Sequence, residues 1–329
     1  RRMMAIDEYR IFAADEGYGQ VVIFDLGENR VHRIGDMSDL SPYSMTLLNE
    51  KLYLCGYPSS RLYEFDLSRP FTLEDKDGGE QGPNPKLVSV LAEYSDTHSP
   101  FAGTVVGGDG RIYAAGSTYG RRRDGGGMGW YDPKTDESGG IWEPFTPYRV
   151  FWMTTAYNGR YILLSTKSSE GIGRLFCWDT QSHELIYDVE PPGEQTPGPL
   201  AEVLPGLVIG YTKRGDETKG RLYGFRAETG EILWTKDVPD KPITSVSSVR
   251  RHAYSFCTGP NGHIWAFMDK TLVRIRPRDA HIEVIGRLPG HASVGQLAFA
   301  DGNVYMAGSS SLQILNGTRA LRATDQAGR

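Results

Sequence analysis

Two short motifs alternate seven times along the 329 residues, and few folds tolerate so regular a pattern. The first is a small turn running into a β-branched or aromatic stretch. Its copies are YRIFAAD (9–15), KLYLCG (51–56), DGRIYAAG (109–116), NGRYILLS (158–165), PGLVIGYT (205–212), NGHIWAFM (261–268) and DGNVYMAG (301–308). The second is a short strand ending in a large apolar residue and, in most copies, a polar turn. It reads VVIFDLG (21–27), LYEFDLS (62–68), GWYDPKT (129–135), LFCWDTQ (175–181), LYGFRAETG (222–230), LVRIRPRD (272–279) and LQILNGT (312–318).

Asp-Gly and Asn-Gly accept the positive φ of type I′ turns, so strands flanking them pair as antiparallel hairpins. A further strand precedes the first motif, as in YSMTLL, GTVVG, VFWMTTAY and QLAFA. Another follows the second, as in VHRIGDM, KLVSVLAE, GIWEPF, ELIYDV, EILWTKDV and HIEVIGRL. Four strands in a repeat of roughly 47 residues is the geometry of a propeller, in which each blade buries its faces against its neighbours. The expected fold is all-β: a single seven-bladed β-propeller over 1–329, with blades at about 1–40, 41–93, 94–145, 146–192, 193–240, 241–289 and 290–324. Phe24, Phe65, Tyr131, Trp178, Phe225, Ile275 and Leu315 are expected at equivalent third-strand positions. The ring is expected to close by side-chain packing of the first blade on the last.

The repeats resemble those of the quinoprotein-like and YVTN/WD-repeat-like propeller superfamily. AETGEILWTKDVP (227–239) is similar to the quinoprotein repeat, in which a Thr-Gly turn leads into a Trp-bearing strand. A repeated Trp-Asp dipeptide and vicinal cysteines are both absent, so no cofactor is expected.

Composition narrows the functional classes. A net charge of −5 argues against a general nucleic-acid footprint. No apolar run approaches the roughly 20 residues that span a bilayer, and the opening Arg1-Arg2-Met3-Met4 shows no secretory signal. Localisation is not fixed by these features, and a monomer is expected. Cys55, Cys177 and Cys257 are isolated within strand-like segments, which suits buried thiols better than a disulfide framework or zinc site. No HExxH or CxxC occurs, and no metal is expected. Asp75, Asp77 and Glu80 resemble half a calcium loop but lack its glycine and closing glutamate. The tripeptide Arg214-Gly215-Asp216 and the acceptor pattern Asn316-Gly317-Thr318 are treated as background.

Loop length points to one face. Loops between second and third strands share a face with the links from blade to blade. They read as long and polar in the first five blades: DEGYGQ, GYPSSR, GSTYGRRRDGGG, TKSSEGIGR and TKRGDETKGR. The last two carry only MDKT and GSSS. Long loops on a rigid scaffold are where recognition usually sits. Candidate binding residues on this face are Tyr18, Tyr57, His98, Tyr119, Arg121, Arg123, Tyr148, Arg149 and His291. Aromatic planes, guanidinium forks and imidazoles suit an acidic or neutral glycan, a small anion or a protein partner, although Tyr and His at strand starts also suit plugging the channel. The arginines of GSTYGRRRDGGG equally suit a solvated hairpin tip.

A binding module is the first expectation. The alternative is a polysaccharide lyase or glycosidase, in which His98 or Tyr43 removes a proton α to a uronate while Arg149 or Arg121 stabilises the enediolate.

Overall fold

A computed structural model describes residues 2–14, 19–37, 40–72, 82–118, 125–168, 172–193, 197–213, 220–238, 256–259, 262–268, 271–287, 297–307 and 312–314. The chain folds as an all-β propeller. Six antiparallel meanders of four strands follow one another over 2–36, 41–90, 99–141, 149–189, 197–238 and 257–287. A last sheet over 297–314 has three strands among the described residues. Among the described residues the expectation of seven four-stranded blades is therefore corrected to six. The stretch RALRAT, expected to supply the outer strand of a seventh, lies outside the described residues.

The register explains the two motifs. In each of the six blades an aliphatic residue of the second strand faces the apolar residue that closes the third: Ile11 faces Phe24, Leu52 Phe65, and Ile112 Tyr131. The pattern continues with Ile162 and Trp178, Val208 and Phe225, and Ile264 and Ile275. Five of the six third-strand residues are buried, Phe24 less completely; Leu315 lies outside the described residues. The core is therefore a series of layers between blades rather than one central mass. Trp178, for example, packs with Phe145, Phe176 and Ile162 across the third and fourth blades. The Asp that follows this residue in four blades caps the turn with its carboxylate. Asp25, Asp66, Asp132 and Asp179 accept the backbone N–H of Glu28, Ser68, Lys134 and Gln181.

Ring closure follows the expected route. Met3 and Ile11 of the first blade pack with Ala298, Ala300 and Tyr305 of the last sheet. The Asp301 N–H also donates to the Glu8 carbonyl at 2.7 Å, joining the two hairpins.

Two local expectations are corrected. The outer strand of the third blade is Glu137–Ile141, one turn earlier than GIWEPF, which instead runs into a 3-10 turn at Glu143–Phe145. Propensity disfavours Gly139 and Gly140 as strand residues, but a Cβ there would meet the Trp130 ring at 2.4 Å and the Tyr94 carbonyl oxygen at 2.4 Å. Close packing selects glycine in this strand. The loop GYPSSR is not elongated, because strands Lys51–Tyr57 and Arg61–Asp66 leave only Pro58, Ser59 and Ser60 between them.

The insertion after Asp66 folds back instead of hanging free at its base. Asn84 is buried and accepts the Asp66 N–H, while its amide donates to the carbonyls of Asp66, Arg69 and Pro70. Phe71 then covers Gly35 of the first blade and meets Phe65 edge-on at 6.0 Å. Asp75, Asp77 and Glu80 lie outside the described residues.

Candidate functional site at the loop face and channel

The innermost strands Arg2–Ala5, Ser41–Leu48, Ser99–Val106, Arg149–Ala156 and Pro197–Leu204 start at the loop face and run toward the hairpin face. Near its start, each of the last four departs from regular pairing. Tyr43 is the extra residue between the pairs Pro42–Gly56 and Ser44–Cys55. Phe151 occupies the same place between Val150–Thr166 and Trp152–Ser165. The register also shifts across Pro100–Ala102, which includes Phe101, and again between Pro197 and Leu200. A bulge bends its strand and re-aims a side chain. Four consecutive inner strands thus bend at the same height.

The neighbouring second strands record these bulges. A Cβ on Gly56 would sit 2.4 Å from the Ser41 carbonyl oxygen, and one on Gly116 would sit 1.9 Å from that of Ser99. The terminal glycine of KLYLCG and DGRIYAAG is thus the space through which the bulged backbone passes. The repeated small residue was visible in the sequence, but its cause was not.

The structure brings Tyr43, Tyr57 and His98 into one neighbourhood. The Tyr43 and Tyr57 rings stack at 6.2 Å with 23° between planes, and His98 Nδ1 lies 3.4 Å from Ser59 Oγ. All three are half-buried. The turn beneath them is fixed from both sides. The Ser60 N–H donates to the His98 carbonyl, the Ser60 hydroxyl to the Thr97 carbonyl, and the Ala92 N–H to the Ser59 carbonyl. Arg149 opens the inner strand of the fourth blade opposite Lys167, so two cations share that part of the rim. Tyr148 turns inward instead, meeting Phe176 edge-on at 5.6 Å in the core between blades. Tyr18, Tyr119, Arg121, Arg123 and His291 lie outside the described residues.

Below the rim the inner strands enclose a central cavity of about 230 Å³. Phe101, Phe151 and Trp152 form a continuous aromatic wall, with centroids 5.0 and 5.5 Å apart. Met4, Met45 and Met153 face the same space. Arg2, only 7% exposed, is the one charged side chain among the described lining residues. These channel residues were not singled out from the sequence. The recurring SPY (41–43), SPF (99–101) and YRVFW (148–152) at inner-strand starts were the available signal.

The cysteines offer no nucleophile. Burial pushes the Cys177 and Cys257 thiols up to about 12 and Cys55 higher still, which keeps them protonated near neutral pH. At the opposite face, ligand atoms of Asp25, Glu28 and His32 lie within 4.8 Å of one another across the hairpin that joins strands Gln20–Asp25 and Arg30–Asp36. Spacing rules based on two histidines pass over such a trio.

No protein-family model matches the chain, and no curated protein matches its sequence. Solved structures do. Hydrazine synthase of Kuenenia stuttgartiensis superposes with a TM-score of 0.67 over 95% of this chain and 94% of that one, at 12% identity. A chain of the mitotic checkpoint complex gives 0.62 over 95% and 87%, also at 12% identity. The β-propeller domain of Cps50 (Swd1) from Myceliophteria thermophila gives 0.59 over 94% and 93%, again at 12% identity. The shared feature is the β-propeller fold.

Proposed function

We propose that this propeller is an interaction module whose loop face binds a protein partner, with the Tyr43, Tyr57 and His98 patch as its centre. The observation that carries the reading is the patch itself: stacked, half-exposed rings and an imidazole on a turn hydrogen-bonded across two blades. Rigid aromatic groups contribute large contact area at little entropic cost, which is what interface anchors require. The presence of a propeller in the mitotic checkpoint complex supports the same reading.

The test compares Tyr57→Ala/His98→Ala with Lys134→Ala/Glu137→Ala, which changes exposed residues of the opposite face. Affinity capture quantified by mass spectrometry should show at least one stoichiometric protein recovered by wild type and the second variant and lost from the first. Equal recovery by all three overturns the reading. A parallel array of acidic and neutral glycans separates protein from sugar recognition. Sugar binding that depends on Tyr57 and His98 transfers the site to a glycan.

A further inference from the structure

We propose that the hairpin face of the sixth blade carries a phosphate-binding pocket, distinct from the protein-binding rim at the opposite face. The register shows how this blade differs from others. One step beyond the apolar pair that joins second and third strands, the first two blades set a cation against a carboxylate: Arg10 faces Asp25, and Lys51 faces Asp66. In the third blade Arg111 lies 3.6 Å from Asp132. The same step beyond Ile264 and Ile275 holds His263 and Arg276, an imidazole and a guanidinium. The Arg276 N–H donates to the His281 carbonyl, so a second imidazole extends this row to the start of the outer strand.

These side chains share one cavity. His263, Arg274, Arg276, His281 and Glu283 line about 330 Å³, within the range of small-ligand sites and roughly ten times the share of one water in the liquid. A phosphate group with a small substituent fits that space. Arg274, its side chain 14% exposed, directs Nε and Nη2 to one Glu283 oxygen at 3.0 and 2.7 Å. Arg276 is held through Nε by Asp279 at 3.1 Å, and the same Asp279 oxygen accepts the His281 N–H. Both guanidiniums are thus charge-paired and fixed in place. Among the described residues, their other nitrogens and the two imidazoles have no hydrogen-bond partner. Four of the five lining groups are therefore N–H donors, set on three adjacent strands and braced by their own turn. Such a donor set matches a tetrahedral dianion, which offers more acceptor oxygens than the two of a carboxylate.

The probes are inorganic phosphate, phenyl phosphate and benzoate, titrated against the full chain by calorimetry at constant ionic strength and by NMR of the histidine side chains. Wild type should bind both phosphate compounds saturably, with shifts at the His263 and His281 imidazoles. Arg276→Gln should weaken phosphate about ten- to a hundredfold, the worth of a charge-assisted hydrogen bond, and benzoate should bind wild type about tenfold more weakly than phosphate. Arg226→Gln, which removes a guanidinium at the same step of the fifth blade, should bind phosphate like wild type. Tyr57→Ala/His98→Ala should do the same, which separates this pocket from the rim. Tighter binding of phenyl phosphate than of inorganic phosphate assigns a phosphate ester as the ligand, and equal binding assigns the free anion. Thermal melts confirm that each variant is folded. Absence of saturable phosphate binding to wild type overturns the proposal. So does full affinity in Arg276→Gln, equal loss in Arg226→Gln, or benzoate binding as tight as that of phosphate.

Discussion

The hairpin face and the loop face of this ring use polar groups in opposite ways. At the hairpin end of the third and fourth blades, charged groups satisfy one another. The Tyr113 hydroxyl donates to Asp109 at 2.7 Å, and His183 Nε2 lies 3.3 Å from the same carboxylate. Arg111 sits between Asp109 and Asp132, with its guanidinium 4.0 Å above the Trp130 ring. Neighbouring hairpins are also stitched by backbone, as where the Gly108 N–H donates to the Gly159 carbonyl. At the loop face, backbone hydrogen bonds hold the turn while the Tyr43, Tyr57 and His98 side chains remain half-exposed. Backbone hydrogen bonds tie neighbouring blades at both ends, and among the described residues the hairpin end adds a charged side-chain network while the loop end presents half-exposed rings.

The largest test of this division compares two rings at opposite ends of the fourth blade. Trp178 closes the third strand at the hairpin end and is 9% exposed. Trp178→Ala should cost about 3–5 kcal/mol in chemical denaturation, as deletion of a large core ring does. Phe151→Ala, which empties the bulged position beside an existing cavity, should cost about half as much or less. Equal losses would show that the loop end is as deeply built into the core.

Backbone, rather than side chain, should be the sensitive element of the loop face. Gly116→Ala sets a methyl against the Ser99 carbonyl and should destabilise by about 2–3 kcal/mol, the usual scale of overpacking. A melting temperature unchanged from wild type would mean that the bulge relaxes freely. On the hairpin face, Tyr113→Phe removes one hydrogen bond to Asp109 and should cost about 1 kcal/mol. Tyr57→Ala/His98→Ala should cost less than the loss of a core ring while removing partner binding, a split between stability and function that paired melts and capture assays read directly.

The smallest effect is a pH dependence confined to the hairpin face. The hydroxyl and backbone N–H of Ser68 hold the Asp66 carboxyl below its ordinary value. A depressed folded pKa stabilises above the unfolded value of about 3.9, and that contribution is lost as pH falls through the folded value. Asp66→Asn should therefore lower the melting temperature slightly near neutral pH and flatten its decline below about pH 4, so that variant and wild type converge in acid. An unaltered acid limb would remove Asp66 from the cause of that decline.

The repeated turns, the aliphatic residue of each second strand and the apolar residue before each third-strand turn are local signals, because burial between blades imposes the same alternation on every copy. They were enough to specify a propeller, and the packing of Met3 and Ile11 on Ala298 and Tyr305 follows from that repetition. Tertiary structure decided what no single segment carries. It shortened GYPSSR to a tight turn and turned Tyr148 into the core on Phe176. It also gathered Arg2, Phe101, Phe151 and Trp152 from three blades around one cavity. A bulge depends on the pairing of two strands, and a channel wall depends on several blades at once. Their side-chain directions are therefore set by long-range packing rather than by the residues on either side in the chain.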